Sequence, residues 1–195
     1  MKSRIATSLM SLLLLCNVAF GAANKQIQEP EYVGNYYALD SRAGNLIPLE
    51  RQTGECKVNA SVFGFGGGES CVEFQGEKSP VRFREGQKLQ FVVRVASQQT
   101  DPQEIIQFFS LEPKNGKRKV VTVKAKSMGL SAKTVLNEKA ITFNATKYGH
   151  SSFRIITEQE LHSGEYVLSV PTNNIGFCFG IDPVGGAKEN GREQE

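Results

Sequence analysis

The sequence predicts an all-β protein, an antiparallel β-sandwich, and three observations carry that reading. Apolar residues recur with a period of two in nearly every patterned segment. Those segments are short, rich in β-branched and aromatic residues, and bounded by Gly, Pro, Asn or Ser. Only residues 102–109 and 157–162 have room for helical turns, and neither stretch is long. A closed β-barrel is the alternative that the strand count allows. A length of 195 residues fits one domain.

Residues 1–23 read as a secretory signal. Lys2 and Arg4 form its positive start, 9–16 (LMSLLLLC) its apolar run, and Ala19 to Ala23 its small-residue cleavage region. A membrane-spanning helix needs about 20 apolar residues, and Asn17 interrupts this run too early. Leu15 before Cys16 does not suit lipoprotein processing. Residues 24–30 follow as a polar, loose lead-in, and 31–182 form the β-sandwich domain. The unpatterned end, 183–195, is expected to be a disordered tail.

Within the domain, Leu89, Phe91, Val93 and Val95 fall on one face of a strand, and Gln90 and Arg94 on the other. Tyr166, Leu168 and Val170 alternate with Val167 and Ser169, and Phe177, Phe179 and Ile181 with Cys178 and Gly180. Phe153 and Ile155 alternate with Ser152 and Arg154. Further strand candidates lie at 32–39, 46–49, 57–63, 72–74, 81–84, 105–111, 118–125 and 141–145.

Cleavage of the leader leaves Cys56, Cys71 and Cys178. An odd number of thiols in an oxidising compartment implies one pair and one leftover thiol, or an intermolecular bond. Two strand-like runs around a glycine-rich turn bring Cys56 and Cys71 close, so these two are the expected disulfide. Either could instead pair with Cys178, which sits between two Phe residues and reads as an apolar filler.

The segment Leu161-His162-Ser163-Gly164-Glu165-Tyr166-Val167-Leu168 resembles the turn entering a late strand of immunoglobulin-like and fibronectin-like sandwiches. With Phe177-Cys178-Phe179-Gly180-Ile181-Asp182 it is similar to the closing strands of uncharacterised secreted bacterial β-domains. The resemblance implies that the Tyr166 hydroxyl returns to the backbone at a strand corner. It implies no functional residues, because this architecture hosts many activities.

Catalytic and metal signatures are sparse. His150 and His162 are the only histidines, no G-x-S-x-G elbow occurs, and no H-x-H, C-x-x-C or H-E-x-x-H spacing appears. No cofactor is expected. A hydrolase with a loop-built site around His150 is an alternative reading. The run Gly64-Phe65-Gly66-Gly67-Gly68 lacks the following helix that a phosphate cradle requires. It reads as a hairpin tip on which Phe65 could grip a protein partner, as an inhibitor would.

Charge placement is the most distinctive feature. Between positions 114 and 133 stand Lys114, Lys117, Arg118, Lys119, Lys124, Lys126 and Lys133, with no Asp or Glu. Without Lys2 and Arg4 the formal charge of +3 falls to +1, so the remainder carries −6. One reading is a solvated cationic face for an acidic protein or an anionic envelope glycan. The other is an edge strand protected by lysines. The basic stretch has no aromatic interleaving, which disfavours nucleic acid. The sequence therefore predicts a secreted or periplasmic, non-catalytic binding or accessory protein of the cell envelope, not membrane-spanning once its signal is removed.

Overall fold

The structure is a computed structural model, and it describes residues 27–60, 68–128, 131–136, 139–171 and 173–185. The expected signal, the hairpin tip with Phe65, and tail residues 186–195 lie outside the described residues. The side chains of 59–60 and 124–136 do too.

The elements are β1 (Tyr36–Leu39), β2 (Leu46–Pro48), β3 (Glu50–Thr53), β4 (Glu55–Ala60), β5 (Gly68–Gln75), β6 (Arg82–Arg84) and β7 (Phe91–Arg94). There follow α1 (Pro102–Ile105), β8 (Gln107–Lys114), β9 (Lys117–Met128), β10 (Ser131–Leu136), β11 (Phe143–Tyr148), β12 (Ser152–Thr157), β13 (Gly164–Ser169) and β14 (Ile175–Asp182). The fold is all-β and sandwich-like. Among the described residues helix is confined to the single turn α1, started by Asp101, whose carboxylate accepts the Gln103 N–H at 2.9 Å. Residues 157–162 hold bends rather than helix. Leu161 from that stretch is buried in the core.

A five-stranded sheet in the order β11-β12-β7-β1-β2 packs against a second sheet ordered β3-β14-β13-β8-β9-β5-β4. β10 joins β9, and β6 pairs with β14 in parallel. The sandwich core lies between the sheets. Tyr36, Phe91, Val93, Phe153 and Ile155 of the first sheet meet Phe108, Tyr166, Leu168, Phe177 and Phe179 of the second. Phe179 stacks on Tyr166 at 5.4 Å and lies 4.9 Å from Phe91. The Tyr166 hydroxyl donates to the His162 carbonyl at 2.8 Å.

β3 and β4 stand at opposite ends of the second sheet's strand order, yet only Gly54 separates them in the chain. Consecutive Cα atoms are 3.8 Å apart, so the two ends must meet and the sheet must curl. The curl wraps a second core of Phe74, Phe109, Leu111, Val120, Val167 and Cys178. Across the seam, the Gln52 amide replaces a ladder partner. Its carbonyl accepts the Gln75 N–H at 2.9 Å and its NH2 donates to the Gln75 carbonyl at 3.2 Å. Gly54 is required where the chain crosses, because a β-carbon there would overlap Val72 and lie 3.0 Å from the Phe74 ring.

Three expectations are corrected. The expected Cys56–Cys71 disulfide is absent, and Cys56, Cys71 and Cys178 are free thiols. In the β4–β5 register Cys56 lies opposite Val72, and Cys71 opposite Lys57. That one-residue offset points the two thiols to opposite faces of the sheet. The lead-in is not loose at its end: Pro30 is fully buried. Glu29 accepts hydrogen bonds from the backbone of His150 at 2.7 Å and Ser151 at 3.0 Å, and from the Ser152 hydroxyl at 2.6 Å. β9 is not an edge strand, since β5 flanks it on one side and β8 and then β10 on the other.

The Gly54 crossing gives a direct test of the curl. Gly54→Ala is expected to cost about 1–3 kcal/mol by overpacking against Val72 and Phe74, read as a lowered thermal midpoint. An unchanged midpoint would mean that the seam is loose.

Candidate functional site

Two charged arrangements stand out, one inside the curl and one on its outer surface. Arg118 anchors the inner one. It sits on β9 two residues before the buried Val120, so strand alternation sends both side chains into the second core. Its side chain is 0% exposed. Nη1 donates to Glu50 of β3 at 2.8 Å, Nη2 to the Gln75 carbonyl at 2.8 Å, and Nε to the Gly76 carbonyl at 3.0 Å.

Glu165 of β13, only 4% exposed, lies 3.6 Å from the same Nη1. Its carboxylate also accepts the Ser79 N–H at 2.9 Å and pairs with Arg82. Arg82 continues to Asp182 at 2.7 Å. Gly180 leaves room for this pair, because a β-carbon there would overlap the Arg82 guanidinium. Burial pushes the Glu50 carboxyl up. Hydrogen bonds from Arg118, Ser79 and Gln52 outweigh that and hold it below its ordinary value.

This cluster lacks the features of a reaction centre. Arg118 has no exposed surface to offer a substrate. The neighbouring Cys178 thiol is pushed up to about 12, chiefly by burial, so it is protonated and a poor nucleophile. The cluster fixes the curl: one guanidinium joins β9 to β3, to the end of β5 and to β13.

The outer arrangement is an arm built from β4, β5, β9 and β10. On its base the cations expected to face a partner are engaged. Lys117 bridges Glu55 at 2.9 Å and Glu73 at 3.3 Å, Lys57 also meets Glu73 at 2.7 Å, and Lys119 pairs with Glu69. Bonds to these carboxylates raise Lys117 and Lys119 above the usual lysine value. The continuous cationic face is thus corrected. Arg118 points inward, Lys117 and Lys119 are half-buried in ion pairs, and Lys114 is exposed.

Towards the arm's end the register changes character. Cys71 pairs with Val121 and Ser70 with Val123, so Thr122 is the extra residue of a β-bulge. The bulge places Lys124 opposite Glu69. Beyond it, Lys126 lies directly opposite Lys133 of β10. Gly68 pairs with Ala125, so the hairpin end that carries Phe65 in sequence and the β9–β10 end belong to the same end of the sheet. Distant in sequence, the two are brought to one end of the sheet by its topology.

Both histidines are exposed in turns. His162 Nδ1 lies 3.0 Å from Glu85, and the His150 N–H is engaged by Glu29. Among the described residues no group of His, Cys, Asp or Glu could hold a metal ion, and no helix is long and apolar enough to cross a membrane. A groove of about 360 Å³ runs between Gly86–Gln90 and Ile156–Leu161. An apolar pocket of about 220 Å³ lies beside Val33, Val95, Ile105 and Val170.

The buried cluster implies a defined acid response. The folded Glu50 carboxyl titrates below its ordinary 4.5, so its contribution is complete above that value and lost as pH falls through the lowered one. Denaturant titrations from pH 6 downward are expected to show a shallower acid decline for Glu50→Gln than for the unaltered chain. Equal slopes would remove Glu50 from the acid response. No protein-family model matches the chain, and neither the curated proteins nor the solved structures give a match.

Proposed function

We propose that the protein is a secreted or periplasmic, non-catalytic binding protein whose arm engages an anionic partner, either an acidic envelope glycan or an acidic protein surface. The observation that carries this reading is the register position of Lys126 directly opposite Lys133. Like charges facing each other across a strand pair destabilise it, and the pair lies on a segment with no Asp or Glu between 114 and 133. A bound anion relieves that repulsion. The adjoining residues 57–68, which include Phe65, contain no carboxylate either, so both loops at this end suit an acidic partner.

The inhibitor-like reading of the hairpin merges with this one, since both use the same end of the sheet. An immunoglobulin-like class is supported by the Tyr166 corner. Secretion rests on the leader pattern in 1–23.

Retention on an immobilised sulfated or phosphorylated glycan measures the proposal. Lys126→Glu is expected to weaken retention while stabilising the strand pair by about 0.2–1 kcal/mol, because an opposite-charge pair replaces a like one. Lys126→Glu with Lys133→Glu is expected to abolish retention. Salt-insensitive retention, or retention unchanged in both variants, would overturn the assignment.

A further inference from the structure

The arm has a second feature, its open edge. Among the described residues β4 pairs only with β5, which leaves the other edge of Glu55–Ala60 with unpaired backbone groups. Natural edges are blunted by proline, bulges or free lysines. β4 has none of the first two, and its one lysine, Lys57, is held by Glu73. Val58 stands 74% exposed on this edge, and Cys56, two residues away and on the same face, is exposed as well.

We propose that a second copy of this chain pairs antiparallel along β4, about a two-fold axis through Cys56. The sequence of the strand selects that register. Centred on Cys56, the pairing sets Glu55 opposite Lys57 of the second copy, and Lys57 opposite its Glu55, which extends the Lys117–Glu55 and Lys57–Glu73 pairs of each copy into one network. Centred on Lys57 it would oppose two lysines, and centred on Glu55 two glutamates. Between residues, it would set a charge against Cys56 or Val58. Opposite charges across strands stabilise the pair and like charges oppose it.

A closed two-fold contact uses the same patch on both copies. A register centred on Val58 sets Lys57 against Asn59 and gains no ion pair, so only the Cys56 register makes the charges of that patch self-complementary. On the opposite face, the exposed Cys56 and Val58 of both copies then form one apolar strip continuous with Val72, which faces Cys56 in the β4–β5 ladder. The dimer sets two arms side by side. The inference does not depend on what the arms bind.

Cys56 supplies the reporter. Directly opposed residues have Cβ atoms about 4.5–5.5 Å apart, near the range a disulfide spans. A diazene oxidant such as diamide accepts two electrons and two protons from two Cys56 thiols. It leaves one disulfide and the corresponding hydrazine. The full chain is expected to sediment as a dimer on the order of 100 µM and to cross-link through Cys56.

Val58→Lys changes a side chain already in solvent. It is expected to raise the dimer dissociation constant about tenfold or more without altering the thermal midpoint of the chain diluted to monomer. Register is read by moving the thiol. Glu55→Cys/Cys56→Ser mixed with Lys57→Cys/Cys56→Ser should cross-link as a mixed pair, and each alone should cross-link far less. A monomer at that concentration overturns the proposal. So does cross-linking that ignores Val58→Lys, or that occurs equally at 55, 56 and 57.

Discussion

The guanidinium of Arg118 is the interaction on which the second sheet depends. A cation with no exposed surface costs several kcal/mol to dehydrate, and the cost is offset only when its donors are met and a counter-charge is close. Glu50, Glu165 and the carbonyls of Gln75 and Gly76 meet that demand from three separate parts of the chain. No flat arrangement of the sheet could bring β3 and the end of β5 to one guanidinium. The buried charge therefore specifies the curl as well as tolerating it. Packing supports the same geometry, because Gly54 and Gly176 leave room for the Phe74 ring where the sheet closes.

The curl has a consequence for the outer surface. β9 is long enough to belong to two structures, the wall of the second core at Arg118 and Val120 and the arm beyond Val123. The bulge at Thr122 separates the two parts. Without the extra residue, Glu69 would face Val123 and the charge ladder would end at Lys119. With it, the ladder extends to Lys124, and the next cross-strand pair is Lys126 with Lys133. The basic segment is thus divided into a base whose lysines are paired with carboxylates and an end where Lys126 and Lys133 face each other in register. Surface ion pairs like those at the base contribute little to stability even when half-buried, so their main effect is to neutralise Lys117 and Lys119.

Much of the fold was legible because half-buried strands write their alternation into the sequence. The main core follows that pattern through Phe91 and Val93, Tyr166 and Leu168, and Phe177 and Phe179. β3 and β10 were not legible. Glu50–Thr53 has no apolar residue to alternate, and among the described residues β10 pairs with β9 alone. Arg118 was misread because composition grouped Lys117, Arg118 and Lys119 as one cationic run. The parity of the strand held the signal: Arg118 shares a face with Val120, and its two lysine neighbours do not. The thiols of Cys56 and Cys71 failed to pair for a related reason. Proximity across a hairpin is easy to infer, but the register depends on the intervening loop, and one residue of offset separates the two faces.

The claim that Arg118 holds the curl closed through β3 is tested most directly by a double-mutant cycle. Arg118→Met, Glu50→Gln and the combined variant would be unfolded in denaturant at neutral pH. A coupling energy of about 1–3 kcal/mol is expected for a buried hydrogen-bonded pair that joins two strands. A coupling indistinguishable from zero would contradict the account and leave the curl to apolar packing alone.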